Sequence, residues 1–200
     1  MRCLALLASL LLVACGSDSQ PPAGDGQPPG SDGPPADMPP PSGFTLTSTT
    51  ITNNGTFPAI NTCNTAENQS PPLAWVNAPT GTASFAVVLT DLDVGSGLLH
   101  WIIWDIPLAT TSLPEAVANV FNPGNVAGAN QTLSFDNTTR GYLGPCPPFP
   151  DTHHYQFDVY GVDSATLPNV VMDSTASAVL VQIAMHNKGH ASLSATYKQP

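Results

Sequence analysis

Charged residues are scarce in this 200-residue sequence, and basic ones are nearly absent. Charged residues make up 9% of the chain, against about a quarter in typical soluble domains, and Lys and Arg total 4 against 14 Asp and Glu. The formal net charge of −10 repels a phosphate backbone, so nucleic acid is not expected as a partner. Hydrophobic residues reach 42%, which is enough for the core of one domain.

The N-terminus lacks an apolar run long enough to cross a bilayer. Residues 4–13 are apolar except for Ser9, and a run of this length is typical of a signal peptide core. It ends at residues 12–15 (LVAC), which resemble the bacterial lipobox, where the cysteine is lipidated and becomes the new N-terminus. We therefore predict a lipoprotein signal peptide over residues 1–14 and lipidation of Cys15. The alternative is an ordinary signal peptide with a chance cysteine.

The next segment, residues 15–43, has almost no large apolar side chains after Cys15. It consists mainly of Pro, Gly, Ser, Asp, Gln and Ala, so it cannot offset the entropy lost on ordering. We predict a disordered, semi-rigid tether that holds a domain off a bacterial envelope membrane. Gly16 stands where Asp would signal inner-membrane retention, so we expect the outer membrane where the cell has one. A Pro-rich ligand for another protein is the alternative.

The composition changes at Phe44, where apolar and polar residues begin to alternate as in strands. Strands are predicted at residues 44–48, 83–90, 100–106, 155–162 and 192–197. Residues 174–187 are the one good helix candidate, with Ser174 as the N-cap, Gly189 as the stop, and apolar positions at Val179, Ile183 and Met185. This order predicts a mostly β domain over residues 44–200, a β-sandwich with a late helix.

Three clusters of residues carry candidate chemistry, and each has a structural alternative. Asp91 and Asp93 end a buried strand, and their spacing predicts two carboxylates on one face, although such a pair also occurs in turns. His100 opens the next strand, where a histidine is often only a structural hydrogen-bonding group. Residues 141–148 (GYLGPCPP) predict a rigid loop before His153, and rigid loops commonly position binding groups.

Together these segments resemble the phosphatidylethanolamine-binding protein (PEBP) family, and most closely its bacterial Raf-kinase-inhibitor-like YbhB/YbcL branch. The resemblance covers essentially all of the predicted domain. The matching segments, in chain order, are 68–75 (NQSPPLAW), 90–94 (TDLDV), 100–107 (HW with IP), 141–148 (GYLGPCPP), 153–157 (HHYQF) and 189–197. The resemblance implies an antiparallel β-sandwich with a C-terminal α-helix, and a pocket for phosphate, acetate or phospholipid head-group mimics.

Carried over position by position, the resemblance implies a specific set of pocket residues. Asp91, His100, His153 and Tyr155 match the lining, Asp93 matches the second acid, and Cys146 and Pro147 match the rim. Two positions depart from the family pattern: Leu92 replaces a proline, and His154 replaces an arginine, which removes a positive charge near the rim.

The chemistry of the pocket can also be argued from its residue types. We expect Asp91 to accept a hydrogen bond from one imidazole, leaving the other ring nitrogen to face the cavity as a donor. The second histidine is expected to do the same from another side. Such a site suits a phosphate or carboxylate, and suits it better below about pH 6.5, where histidine gains charge.

Two cysteines remain once Cys3 leaves with the signal peptide and Cys15 is lipidated. Cys63 and Cys146 both flank the pocket in the family pattern, and an oxidising compartment favours a disulfide between them. The alternative is two free thiols.

These observations predict a membrane-tethered binding protein with a pocket for a small anion or phospholipid head group. Such a protein could regulate or inhibit a protein partner, and we expect neither a metal nor another cofactor. The alternative is a metal-dependent or acid/base hydrolase that uses the Asp/His cluster. Ser70 lacks the strand-turn-helix setting of a hydrolase nucleophile. A purely structural envelope protein is the third hypothesis.

Overall fold

The strand-forming segments are distributed over two sheets of unequal size. The computed structural model describes residues 43–200. The predicted signal peptide, Cys15 and the tether as far as residue 42 lie outside the described residues. None of the helices in the described part is long and apolar enough to cross a membrane.

The described residues form nine strands: β1 Thr45–Thr47, β2 Gly55–Thr56, β3 Leu73–Val76, β4 Ser84–Asp91, β5 Leu98–Pro107, β6 Ser112–Leu113, β7 Asn130–Gln131, β8 Thr152–Val162 and β9 Asn187–Lys198. The small sheet contains three of them in the order β1-β3-β6, and the large sheet contains six in the order β2-β9-β8-β4-β5-β7. The strand pairs are antiparallel apart from the parallel pair β2–β9. A 3₁₀ turn, Ala59–Asn61, and one α-helix, α1 (Ala176–Met185), complete the described elements.

The main core lies between the two sheets. Alternate residues of β8, Tyr155, Phe157 and Val159, are fully buried on its inner face, as expected for a strand with period 2. Trp75 from the small sheet packs edge-on against Phe85 of the large sheet, with ring centroids 5.2 Å apart. The predicted β-sandwich is therefore confirmed.

A second core lies between the outer face of the large sheet and α1. Val88 and Ile102 of the sheet belong to the same buried cluster as Val179 and Ile183 of the helix. The prediction that Met185 shares this apolar face is wrong, because its side chain is 71% exposed. The helix thus covers part of the outer face of the large sheet.

Both predicted helix ends differ from the observed ones. Thr175, not Ser174, is the N-cap, and its Oγ1 accepts a hydrogen bond from the Ala178 N–H. Ser174 instead accepts a hydrogen bond from the Val171 N–H, which stabilises the preceding turn. The helix therefore begins at Ala176, two residues later than predicted.

Gly189 does not terminate the helix but lies inside β9. The last strand begins at Asn187 and is twice as long as predicted, because Gly189 pairs with Gly161 of β8. A side chain at Gly161 would lie 2.5 Å from Thr82 Oγ1, and one at Gly189 would lie 2.9 Å from Pro79 Cγ. The two glycines therefore let the turn before β4 pack directly on the sheet.

Candidate functional site

A β-bulge places His100 at the candidate site. Thr90 of β4 pairs with Leu99 and Leu89 pairs with Trp101, so His100 is the extra residue in β5. A bulge of this kind re-aims the side chain of the extra residue. The His100 ring is buried and lies at 90° to the ring of Tyr155, with centroids 5.4 Å apart.

A buried Asp–His pair forms the second part of the site. β4 ends at Asp91, whose Oδ2 lies 2.7 Å from Nδ1 of His153 at the start of β8. The other carboxylate oxygen of Asp91 accepts a hydrogen bond from the Asp93 N–H at 2.9 Å. Because an ionised carboxylate only accepts, Nδ1 of His153 carries the proton, and Nε2 of the neutral ring has a free lone pair. The His153 ring stacks with Tyr155 at 6.3 Å.

His100 is oriented by a backbone carbonyl instead of a carboxylate. Its Nδ1 donates to the carbonyl of Leu143 at 2.8 Å, so the proton of the neutral ring is on Nδ1. Burial lowers the pKa of His100, and this effect exceeds the opposing effects of the Leu143 carbonyl and the Asp91 charge. His100 is therefore neutral near pH 7, and its Nε2 is buried without a hydrogen-bond partner among residues 43–200.

This geometry corrects the expectation that the histidines offer donors to the cavity. In its neutral form, each ring presents an acceptor at Nε2. The hydroxyl of Tyr155 is likewise buried and has no hydrogen-bond partner of acceptable geometry in the described part of the chain. Burial, followed by the charge of Asp91, raises the pKa of Tyr155, so the hydroxyl keeps its proton. The site thus holds one unpaired acceptor and one unpaired O–H group, and such groups are costly unless a ligand completes them.

Asp93 lies outside this cluster. Its Oδ2 accepts hydrogen bonds from both the backbone N–H and Nδ1 of His154, and these two bonds hold the pKa of Asp93 below its usual value. His153 and His154 are successive residues of β8, so their side chains point to opposite faces of the sheet. The prediction that Asp91 and Asp93 share one face is therefore wrong. The side chain of His154, which replaces the family arginine, also lies on the side of the sheet away from the cluster.

Residues 141–148, the Gly-Pro loop, contact the segment that carries the Asn68 motif, residues 68–75. Asn68 Oδ1 accepts a hydrogen bond from the Gly144 N–H at 2.8 Å, and the Tyr142 hydroxyl donates to the Asn61 carbonyl at 2.6 Å. A side chain at Gly144 would lie 2.2 Å from that carbonyl oxygen. The absence of a side chain at Gly144 therefore allows this close approach, which also positions the neighbouring Leu143 carbonyl.

The predicted disulfide between Cys63 and Cys146 is present, with Cα atoms 5.3 Å apart. Cys146 is exposed, and its backbone approaches the Tyr155 hydroxyl, which places it at the rim as the resemblance implied. Gln199 donates from Nε2 to the Pro147 carbonyl at 2.8 Å and joins the C-terminus to this rim. No motif in the sequence indicated Gln199, because a single glutamine near a chain end is indistinguishable from a solvated one.

Phe135 is a further residue that sequence reasoning missed. Its ring packs on the His100 imidazole with centroids 4.6 Å apart, although 39% of its surface remains exposed. The preceding Ser134 is buried and donates from Oγ to the carbonyls of His100 and Gly141. These contacts join residues far apart in the chain, so no local pattern could indicate them.

Two observations bear on the hydrolase alternative. Within the described residues, no group of three or more His, Cys, Asp or Glu side chains is placed to hold a metal ion. Ser70 is buried, and its Oγ accepts a hydrogen bond from the Val117 N–H at 2.9 Å. Its hydroxyl therefore stabilises a loop.

The fold and the cluster define a class: a β-sandwich domain with a polar cluster where β4, β5 and β8 meet the Gly-Pro loop. The model of the family described as phosphatidylethanolamine-binding protein matches residues 47–198. The chain belongs to this family.

Similar proteins place the chain in the YbhB/YbcL branch of that family. A UPF0098 protein of Methanothermobacter thermautotrophicus is 36% identical over 148 residues, which cover 72% of this chain and 92% of the relative. UPF0098 protein YbhB of Escherichia coli is 38% identical over 135 residues, or 65% of this chain and 80% of YbhB. The crystal structure of E. coli YbcL, described as a new member of the mammalian PEBP family, matches with a TM-score of 0.71 and 31% identity, over 78% of this chain and 99% of YbcL.

The contact between the Gly-Pro loop and the Asn68 segment can be tested with two glycine variants. Gly144→Ala is expected to lower the free energy of unfolding by about 1–3 kcal/mol, because the new methyl group overlaps the Asn61 carbonyl. It should also move the Leu143 carbonyl and change the ¹⁵N shifts of the His100 ring. Gly124→Ala is the control, because nothing lies within 4 Å of its added methyl group. Equal effects of the two variants in urea unfolding and ¹⁵N NMR would contradict the close packing.

Proposed function

We propose that this chain is a binding protein whose site takes a small oxyanion together with one proton. The observation that supports this most directly is the pairing of an unsatisfied acceptor, His100 Nε2, with an unsatisfied hydroxyl, that of Tyr155. A phosphate monoester, such as a phospholipid head-group mimic with a free phosphate, or a carboxyl group can satisfy both at once. Its O–H donates to the imidazole, and another of its oxygens accepts from the tyrosine.

The proton follows from the charge states of the site. With His100 neutral, the lone pair on its Nε2 would face the lone pairs of a fully ionised phosphate. Binding therefore requires a proton, either on an imidazole or on the ligand itself. A phosphate monoester has its second pKa near 6, so it is largely a dianion at neutral pH. The complex then holds more protons than its separate components, and affinity increases as the pH falls.

An acid/base hydrolase is the second candidate, because the Asp91–His153 pair also has the geometry of a base oriented by a carboxylate. In this arrangement His153 Nε2 would act on a bound water or substrate hydroxyl. Release of inorganic phosphate from a phosphate monoester over many turnovers would favour this candidate. Binding without turnover would favour the proposed binding function.

We also propose that the domain is tethered to a bacterial envelope membrane through lipidated Cys15 and the residue 15–43 segment. The lipobox-like sequence supports this attachment. A protein partner would contact Phe149, which follows the Gly-Pro loop and is 71% exposed, and Leu92, which follows Asp91 and is 48% exposed. Crosslinking in intact cells should capture this partner with the native chain and lose it with Phe149→Ser. Capture of no protein by the native chain would contradict the proposed contact.

Calorimetric titration with inorganic phosphate tests the proton account. Affinity is expected to increase by about fivefold or more between pH 8 and pH 6, with an upper limit of about 100-fold for one linked proton. Binding enthalpies measured at pH 7 in buffers of different ionisation enthalpy should show net proton uptake. A flat pH dependence would contradict the proposal.

Tyr155→Phe separates binding from stability in the same titration. The Tyr155 hydroxyl is buried without a hydrogen bond of acceptable geometry in the described part of the chain, although Asp91 lies close to it. Its removal should therefore change the free energy of unfolding by less than about 1.5 kcal/mol. Phosphate affinity should nevertheless fall by about tenfold or more, as for the loss of a hydrogen bond to a charged group. His154→Ala is the control, because His154 contacts Asp93 outside the cluster. Equal phosphate affinity of Tyr155→Phe and the native chain would exclude this site.

Lipidation is tested by expressing the full chain with Cys15→Ser, with Cys3→Ser as the matched control. We expect the native chain and Cys3→Ser to partition into the detergent phase after extraction of the membranes. Cys15→Ser, which cannot be lipidated at that position, should remain in the aqueous phase. Detergent-phase partitioning of Cys15→Ser would show that the anchor is not at Cys15.

A further inference from the structure

A cavity lies behind Phe135, outside the Asp/His cluster. Its volume is about 430 Å³, within the range of small-molecule pockets. It lies between the start of β5, residues 133–140 and the first turn of α1. Neither Asp91 nor His153 lines it. The cavity therefore differs in place and composition from the site proposed above.

One wall of this cavity is apolar and another carries a cation. Leu99, Leu133, Phe135 and Met172 supply hydrocarbon surface, and Arg140 is the one basic residue in the lining. Arg140 donates twice from Nη1, to the carbonyls of Gln131 at 3.1 Å and Met172 at 3.0 Å. Its guanidinium also lies 5.6 Å from the centre of the Phe121 ring. These contacts hold the charged group at the cavity wall.

The positive charge of Arg140 is not neutralised by a neighbouring acid. No carboxylate of residues 43–200 lies within 4.0 Å of its guanidinium, although Asp173 also lines the cavity. A guanidinium has five N–H donors in a planar fork that matches a carboxylate, and the two bonds from Nη1 leave donors on the other nitrogens. An uncompensated arginine in a cavity of a strongly acidic protein is a favourable position for an anion.

We propose that this cavity is a second ligand site, for a small amphiphilic carboxylate. The carboxylate binds the free donors of Arg140, and the hydrocarbon part packs on Leu133, Phe135 and Met172. This inference goes beyond the proposed function, because it concerns a different cavity and different residues. It also explains why Phe135 stays 39% exposed, since the ligand would cover the face of the ring that the protein leaves open.

The wall between the two sites is a well-defined loop. Asp136 accepts hydrogen bonds from the backbone and the hydroxyl groups of Thr138 and Thr139, which fixes the turn that follows Phe135. Because Phe135 also packs on His100, a ligand in the cavity should change the ring environment of His100. The ¹H and ¹⁵N shifts of the His100 ring therefore report occupancy from the other side of the wall.

The test uses octanoate as the probe, with octanol and octylammonium as matched controls for charge. We expect saturable binding of octanoate by calorimetry, accompanied by a shift of the His100 ring signals. Octanol should bind at least tenfold more weakly, because its hydroxyl is uncharged and cannot accept the paired hydrogen bonds that a carboxylate accepts from Arg140. Octylammonium should not bind, because it is a cation without an acceptor. Equal affinity for octanoate and octanol, or no saturable binding of octanoate, would overturn the proposal.

Charge variants at the cavity wall test the role of Arg140 without removing its structural contacts. Ser177→Glu is expected to weaken octanoate binding by about tenfold, because it places a like charge at short range. An acidic residue in the first turn of a helix is favourable, so this weakening would not reflect unfolding. Ser177→Gln is the control of matched size, and Asp173→Asn should strengthen binding by removing a like charge. Unchanged octanoate affinity in both charge variants would contradict the assignment.

The two sites are distinguished by measuring the binding of both ligands to both variants. Ser177→Glu should keep native phosphate affinity, and Tyr155→Phe should lose phosphate binding while keeping native octanoate affinity. If the cavity proposal fails, octanoate either does not bind or binds at the Asp/His cluster, where Tyr155→Phe weakens it, and the phosphate results stand. If the proposed function fails, phosphate does not bind, and the octanoate results stand. Competition between octanoate and phosphate would show that both enter one site and would overturn the inference of a second one.

Discussion

The hydrogen bond from His100 Nδ1 to the Leu143 carbonyl determines which group the candidate site presents to a ligand. A carbonyl can only accept, so this bond fixes the proton on Nδ1 and leaves Nε2 as a buried acceptor. The bond requires the Gly-Pro loop at its observed position, and the loop reaches that position because Gly144 has no side chain to meet the Asn61 carbonyl. The chemistry of the site therefore depends on backbone packing between two distant segments.

Sequence reasoning brought together Asp91, His153 and Tyr155, because strand ends and alternation are local patterns that also match the family motifs. It could not predict which atoms these residues present. The bulge that re-aims His100 arises from the register between β4 and β5, and its tautomer depends on a carbonyl 43 residues further along. Asp93 was misplaced for a related reason: the chain leaves the strand after Asp91, so the period of two no longer applies.

The fold was predicted at the level of its layers, since burial periodicity distinguishes strands from a helix over most of the domain. Its boundaries depended on contacts that no local window contains. A glycine after a helical pattern is typical of a helix end, yet Gly189 lies in β9. Pro79 packs against it in the space that a side chain would need. Ser174 and Thr175 are both suitable N-cap residues. The hydroxyl of Ser174 accepts a hydrogen bond from the Val171 N–H, and Thr175 caps the helix. Choosing between equivalent local solutions requires the tertiary structure.

The acidity of the chain favours a proton-linked site over a permanently cationic one. A net charge of −10 disfavours a dianion everywhere on the surface, and a buried arginine would hold its charge at any physiological pH. A neutral His100 attracts an anion little until a proton arrives, so the proposed site would discriminate by protonation state as well as by shape. His154, which replaces the family arginine, binds Asp93 on the opposite face, so an arginine there would have met the same carboxylate. The departure from the family pattern therefore leaves the proton-dependent cluster intact.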